Sequence, residues 1–207
     1  MPTSAADDEA IAGAKAMLRR AVQLRRESRS PEQREVDDLE RLRVVDESLG
    51  DQLPGTVAAY LSAGVEPGTL PLVGWLAAHD VRVLLPVLSR GTAPAWAPYA
   101  GPDALQQGRH GILEPSTERL PGGGLAEADL ILCPGLAANR AGDRLGRGGG
   151  WYDRALGHAR RGAPVWVLLN RDEVLDAIPT HAWDRPVDAV LTPAALLPCF
   201  SPAPVRV

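Results

Sequence analysis

Residues 129–137 read DLILCPGLA, and after a short loop residues 144–154 read RLGRGGGWYDR. The apolar run at 130–133 is typical of a buried strand, which Pro134 and Gly135 end. Four of the eleven residues in the second segment are glycine, and a helix over 150–160 is expected to follow it. A strand, a glycine-rich loop and a helix in this order present backbone N–H groups that bind phosphate.

The other residues of this segment suit the same chemistry. Glycines let the main chain approach an anion and adopt positive φ. Arg144 and Arg147 carry guanidinium groups for phosphate oxygens, and Asp153 is a suitable ligand for a Mg²⁺ ion that bridges phosphates. The segment is neither a P-loop nor a dinucleotide fingerprint. A flexible linker is the alternative, although linkers rarely combine glycine with Arg, Trp, Tyr and Asp.

Working outward, short apolar strands alternate with helices. We predict strands over 56–61, 81–88, 130–133, 165–169 and 189–191. We predict helices over 8–29, 31–49 (with Ser30 as N-cap), 72–79, 150–160 and 172–177. Inward-facing positions on the first two helices are Ile11, Ala14, Leu18, Ala21, Val22, Val36, Leu39, Val45 and Leu49. Residues 90–127 are rich in Pro and Gly and predict loops with short antiparallel strands. The pattern favours an open, mainly parallel α/β sheet flanked by helices, with an N-terminal helical segment.

Length and charge restrict the classes of protein further. A chain of 207 residues fits a single domain over 1–207, with 1–7 as a disordered tail. The net charge of −4 argues against a broad nucleic-acid-binding surface. No signal peptide and no transmembrane run are visible, so no membrane partner is expected. The two cysteines indicate a reducing compartment, the cytoplasm. We expect a monomer or a weak homodimer.

Single charged residues outside the glycine-rich segment allow two interpretations each. The chain has 21 arginines and one lysine, Lys15, which shares a helix face with Arg19. That face either binds an anion or is solvated. Glu66 lies between a strand and a helix, at the sheet edge where α/β proteins bind ligands, or it is an ordinary loop residue. Solvated surface is predicted for Arg20, Arg25, Arg26 and Arg29, with Arg25 and Arg26 available to an anionic ligand. The four histidines show no metal-ligand spacing with Cys133 or Cys199; they are His79, His110, His158 and His181.

Five ordered blocks of the sequence resemble the 5-formyltetrahydrofolate cyclo-ligase family, also called 5,10-methenyltetrahydrofolate synthetase. The most specific block is 129–137 followed by 144–154. The others are 15–19, the positions Tyr60-Leu61-Ser62 with Glu66 and Thr69, residues 111–115, and 183–188 with Thr192. The resemblance implies the open α/β fold of sugar-phosphate isomerases and coenzyme A transferases. It also implies a Mg²⁺-dependent enzyme of one-carbon metabolism that uses ATP to convert 5-formyltetrahydrofolate into 5,10-methenyltetrahydrofolate.

The resemblance also implies roles for individual residues. ATP-binding positions are Lys15, Arg19, Arg144, Leu145, Gly146, Arg147, Gly148, Gly149, Gly150, Trp151 and Tyr152. Folate-binding positions are Leu61, Glu66, Arg147, Gly148, Gly149, Gly150 and Trp151. Lys15, Arg144 and Tyr152 are the implied catalytic residues, and Asp153 and Asp184 the implied Mg²⁺ ligands. In the implied reaction, ATP phosphorylates the formyl oxygen, folate N10 attacks the activated carbon, and phosphate leaves.

Some positions depart from the family pattern. Ala138 and Asn139 replace an aromatic and an acidic residue, Trp151 replaces a tyrosine, and Asn170 and Glu173 stand where Phe and Gln are common. These departures concern the lining of the folate pocket. A non-catalytic folate- or nucleotide-binding protein of the same fold is therefore the alternative function. A sugar-phosphate isomerase would require an acid/base pair at the phosphate loop, and the sequence shows none.

Overall fold

The computed structural model describes residues 5–88, 93–108, 111–120 and 122–200. Its α-helices are α1 (Ala5–Glu27), α2 (Pro31–Leu49), α3 (Leu70–Ala78) and α4 (Trp151–Leu156). Helix α2 begins as its sequence predicts, because the Ser30 side chain accepts a hydrogen bond from the Gln33 N–H at 3.2 Å. His110 and residues 1–4, part of the expected tail, lie outside the described residues. Residues 5–7 belong to α1, so the tail prediction was wrong for them.

Among the described residues, seven strands form the main sheet and four others form two small hairpins. In chain order the strands are β1 (Thr56–Ala58), β2 (Arg82–Val87), β3 (Ala95–Pro98), β4 (Leu105–Gln107), β5 (Leu113–Pro115), β6 (Leu130–Pro134), β7 (Ala137–Ala138), β8 (Arg144–Leu145), β9 (Val165–Leu168), β10 (Ala189–Leu191) and β11 (Leu196–Pro198). The main sheet has the order β11-β10-β9-β6-β1-β2-β3. Its five central strands are parallel, and β3 and β11 pair antiparallel at the edges. The predicted mainly parallel α/β sheet is confirmed.

Alternating residues of the central strands supply two separate hydrophobic clusters. On β6, Leu130 and Leu132 belong to one cluster, and Ile131 and Cys133 to the other. Helices α2 and α3 cover the first face, and α4 covers part of the second. Successive side chains of a strand point to opposite faces, so strands buried on both sides read as continuous apolar runs.

Several expected elements differ in length or place. Strand β1 ends at Ala58 and α4 at Leu156, both earlier than predicted. Residues 171–173 form only a short 3₁₀-helix. Sequence analysis missed the β7–β8 hairpin and the edge strand β11. On α2, Val36 and Leu39 were predicted to face inward, but they are 53% and 56% exposed.

Arg26 is a further correction, because its side chain is completely buried rather than solvated. Its Nε and Nη2 atoms donate to the two carboxylate oxygens of Glu173, each at 2.7 Å. Nη2 also donates to the Gly135 carbonyl at 2.7 Å. The exposed Arg25 pairs loosely with Asp172. The bidentate pair therefore fixes the C-terminal half of α1 against the ends of β6 and β9.

No helix within the described residues combines the length and apolar character that crossing a membrane requires.

Candidate active site

A cavity of about 770 Å³ opens beside the carboxyl ends of the parallel strands β1, β2 and β6. This edge is where open α/β sheets bind ligands. Every site residue predicted from the sequence lines this cavity: Lys15, Arg19, Leu61, Glu66, Arg144, Leu145, Gly146, Arg147, Gly148, Gly149, Gly150, Trp151, Tyr152, Asp153 and Asp184. These residues come from four parts of the chain that only the fold brings together.

The glycine-rich loop runs from β8 to α4. Gly148 and Gly150 have φ values of +100° and +62°, which side chains with a Cβ rarely adopt. A Cβ on Gly148 would also lie 3.4 Å from Cζ of Arg19. Because α4 has only six residues, its dipole is weak, and an anion at this loop would be contacted mainly by the loop amides and nearby cations.

The cations that line the cavity beside this loop include Lys15, Arg19 and Arg144. The Lys15 ammonium group, with only 7% of its side chain exposed, contacts the Asp184 carboxylate and His181 Nδ1. One turn later on α1, Arg19 Nε donates to the Gly146 carbonyl at 2.9 Å. Arg144 is buried and donates to Asp153 Oδ1 at 2.8 Å. The face of α1 that carries Lys15 and Arg19 therefore lines the cavity and is not simply solvated.

The two aspartates suit a metal that arrives with phosphate better than a resident metal. Among the described residues, no group of three or more His, Cys, Asp or Glu side chains is arranged to hold a metal. Both hydrogen bonds that Asp184 accepts use Oδ2, and both that Asp153 accepts use Oδ1. Each carboxylate thus keeps one oxygen for a cation. Mg²⁺ commonly binds one or two carboxylates together with substrate phosphates and water, and this donor set fits that pattern.

Glu66 and Arg147 form an ion pair within the cavity wall. The Arg147 Nε atom lies 2.9 Å from Glu66 Oε1, and Glu66 Oε2 accepts a hydrogen bond from the Ala63 N–H. The Glu66 side chain is 8% exposed, whereas that of Arg147 is 52% exposed. This pair joins the loop after β1 to the glycine-rich loop.

Two tyrosines lie in the same wall. Burial raises the pKa values of Tyr60 and Tyr152 well above the ordinary value for tyrosine. Neither hydroxyl has a hydrogen-bond partner among the described residues. Trp96 contacts the rings of Trp151 and Tyr152, so α4 is held to the sheet by aromatic packing. Tyr152 is therefore a neutral phenol beside the glycine-rich loop.

Comparison against known proteins agrees with the fold. A sequence model described as the 5-formyltetrahydrofolate cyclo-ligase family matches residues 11–193. The chain belongs to the 5-formyltetrahydrofolate cyclo-ligase family. The 5-formyltetrahydrofolate cyclo-ligase of Mycolicibacterium smegmatis is 43% identical over 143 residues, which cover 67% of this chain and 73% of that protein.

Two further relatives support the same family. The 5-formyltetrahydrofolate cyclo-ligase of Escherichia coli K12 is 34% identical over 142 residues, or 67% of this chain and 78% of that protein. The NMR structure of Aquifex aeolicus 5,10-methenyltetrahydrofolate synthetase superimposes with a TM-score of 0.76 at 26% identity. That superposition covers 93% of this chain and 96% of the Aquifex chain.

The departures from the cyclo-ligase pattern lie outside the cavity, with the exception of Trp151. Ala138, Asn139, Asn170 and Glu173 do not line it. Asn139 is buried in the turn of the β7–β8 hairpin, where its Oδ1 accepts two backbone N–H groups. Asn170 and Glu173 hydrogen bond to each other next to Arg26. These four residues support the backbone and do not line the predicted folate pocket.

Sequence analysis missed His181 and Trp183 as members of this site. Both line the cavity, and their rings are stacked. The available signal was proximity in sequence, because both lie within three residues of Asp184. The spacing test applied to the histidines searched for metal ligands and could not detect an imidazole that contacts a lysine.

Proposed function

We propose that this protein uses ATP and Mg²⁺ to convert 5-formyltetrahydrofolate into 5,10-methenyltetrahydrofolate. The observation that carries the proposal is that the glycine-rich loop, the cations Lys15, Arg19 and Arg144, and Glu66 all line one cavity. Phosphoryl transfer depends mainly on positioning and charge neutralisation. A site of cations, backbone amides and carboxylates meets this requirement without a separate acid/base set.

At the ATP end, Lys15, Arg19 and Arg144 would contact phosphate oxygens together with the amides of the 146–150 loop. The carboxylates of Asp184 and Asp153 pair with Lys15 and Arg144. Bound Mg²⁺ would neutralise phosphate charge, with Asp153 and Asp184 as its protein ligands. Lys15 and Arg144 would then be free to contact the transferring phosphoryl group.

At the folate end, Glu66 would accept hydrogen bonds from the amino group and ring N–H of the pterin. Two such bonds require both carboxylate oxygens, of which one now faces Arg147 and the other the Ala63 N–H. Pterin binding therefore exchanges these contacts. Leu61 supplies an apolar surface nearby, and residues 147–151 lie where they can contact both substrates.

The chemistry proceeds in two steps. The formyl oxygen attacks the γ-phosphorus, the bond from that phosphorus to the bridging oxygen breaks, and ADP leaves. N10 then attacks the activated formyl carbon and loses its proton, and inorganic phosphate leaves with the former formyl oxygen. Tyr152 is a neutral phenol here, so its role is to donate a hydrogen bond beside the folate and not to accept a proton.

The state of the two cysteines fits a reducing compartment. Cys133 and Cys199 are both free thiols. Burial raises the pKa of Cys133 to about 11, so this thiol is unreactive in the folded protein. We therefore place the enzyme in the cytoplasm.

The test is to mix protein, ATP, Mg²⁺ and 5-formyltetrahydrofolate and to follow the near-ultraviolet absorbance of the methenyl product. We expect product only when ATP and a divalent metal are both present, with one ADP formed per product. Product without ATP would contradict the assignment. ATP hydrolysis that is uncoupled from folate would favour the non-catalytic binding protein instead.

A further inference from the structure

Trp183 and His181 form a stacked pair at the wall of the cavity. Their ring centroids are 4.4 Å apart and their planes differ by 8°. His181 covers one face of the indole, yet Trp183 as a whole is 62% exposed. An indole that is packed on one side and open on the other offers a flat surface to a planar ligand.

The stack is attached to the cation proposed to hold phosphate. His181 Nδ1 lies 2.9 Å from Lys15 Nζ, and Nε2 lies 3.5 Å from the Asp8 carbonyl. Since the ammonium group can only donate, Nδ1 is the acceptor, and the ring proton belongs on Nε2 facing Asp8. These contacts fix the imidazole in orientation, and the imidazole in turn supports the indole.

We propose that the open face of Trp183 stacks against the purine base of ATP, next to the site where Lys15 holds the phosphates. This inference rests on the proposed function. Every nucleobase has a flat π-face, and a base–aromatic stack contributes substantial affinity without hydrogen bonds to the edges of the base. We therefore expect other purine triphosphates to use the same surface.

The position of Trp183 favours the base of ATP over the pterin. Leu61 and Glu66 follow β1, whereas Trp183 lies in the segment between β9 and β10. In the sheet, β9 and β6 separate β10 from β1. The indole is therefore connected through His181 to Lys15, whereas Glu66 pairs with Arg147 of the glycine-rich loop.

The experiment compares Trp183→Ala and Trp183→Phe with the unchanged protein. We expect Trp183→Ala to raise the KM for ATP about 5-fold to 150-fold, the effect of losing one base–aromatic stack, with little change in kcat. Trp183→Phe should retain part of the affinity. The KM for 5-formyltetrahydrofolate should stay the same. Phe200→Ala is the matched control, because Phe200 is 67% exposed and does not line the cavity.

Two binding measurements make the test independent of turnover. Inorganic tripolyphosphate has no base, so its dissociation constant should be equal in Trp183→Ala and the unchanged protein. ATP should quench tryptophan fluorescence less in Trp183→Phe than in the unchanged protein. Circular dichroism checks that each variant is folded.

Three results would overturn the proposal. The first is an unchanged KM for ATP in Trp183→Ala. The second is a higher KM for 5-formyltetrahydrofolate in place of ATP, which would place the indole against the folate. The third is a lower kcat alone, which would show that Trp183 acts through His181 on Lys15. Each result requires an active unchanged protein, whereas inactivity of that protein would contradict the proposed function itself.

Discussion

The buried pair between Arg26 and Glu173 predicts a large loss of stability when one charge is removed. Their side chains are 0% and 2% exposed, and two hydrogen bonds of 2.7 Å join them. Glu173→Gln keeps the size of the side chain but leaves the guanidinium charge of Arg26 buried without its counter-charge. Breaking a buried pair in this way costs about 3–5 kcal/mol.

The expected magnitude can be measured by thermal unfolding. For a domain of this size, 1 kcal/mol shifts the melting temperature by about 2–4 °C, so Glu173→Gln should lower it by roughly 6–20 °C. The matched control is Glu127→Gln, which removes one partner of the Arg82–Glu127 pair. Both of those side chains are 44% exposed, and exposed pairs contribute less than about 1 kcal/mol.

A double variant separates the buried charge from the loss of the contact itself. Replacing Arg26 and Glu173 together by Met leaves no unpaired charge, so we expect this variant to melt above Glu173→Gln. If Glu173→Gln melted within about 2 °C of the unchanged protein, as we expect of an exposed pair, the reasoning would be refuted. In that case α1 would be held to the sheet mainly by the apolar contacts around Val22.

Three further variants and an acylating reagent test the site, and an alkylating reagent tests the burial of Cys133. Asp153→Asn should lower turnover on the order of 10²-fold, because the Lewis-acid effect of bound Mg²⁺ contributes several kcal/mol, and circular dichroism should stay unchanged. Near-normal turnover at limiting Mg²⁺ would show that the metal binds elsewhere. Lys15→Arg should fold and bind ATP but turn over more slowly, since a planar guanidinium replaces a compact ammonium group, and Lys15→Ala should be slower still. Saturating ATP should protect Lys15 from acylation, and equal labelling with and without ATP would contradict its role. An alkylating reagent at pH 8 should modify Cys199 before Cys133, because the buried Cys133 thiol has a pKa of about 11. Once the protein is unfolded, mass spectrometry should find both cysteines labelled. Early modification of Cys133 would contradict its burial.

The parts of the fold that could be predicted are those in which one local pattern decides the structure. The apolar runs of β6 and β9 predict buried parallel strands, and the Ser30 cap predicts the start of α2. The β7–β8 hairpin was missed because strands of two residues are too short to show a period, and β11 was missed because it is a partly exposed edge strand that ends in proline. Their pairing partners lie elsewhere in the chain, so local sequence does not specify them.

Arg26 shows why the face of a helix was harder to assign than the helix itself. The inner face of α1 carries Lys15, Arg19, Val22 and Arg26, which are spaced three and four residues apart. Three of these four are cations, so a search for apolar periodicity passes over them and selects Ala21, which is in fact exposed. Burial of these cations depends on Glu173, Asp184 and the cavity, which come from distant parts of the chain.

The residues that line the cavity could be predicted where family resemblance fixed residue types at a known spacing, as in residues 144–154. Prediction was not possible for His181 and Trp183, because their role depends on a stack and on contact with Lys15, both of which exist only in the folded chain. Asp153 and Asp184 could be predicted only in part. Their presence in one cavity was expected, whereas their pairing with Arg144 and Lys15 was not.

The most direct test of the central claim follows the formyl oxygen of the substrate. We propose that this oxygen is phosphorylated, so it must leave as part of inorganic phosphate. With 5-formyltetrahydrofolate labelled with ¹⁸O at the formyl group, mass spectrometry should find one labelled oxygen in each phosphate released. Unlabelled phosphate, with the label recovered in water, would contradict the account, because ATP would then be hydrolysed without passing through the formyl group.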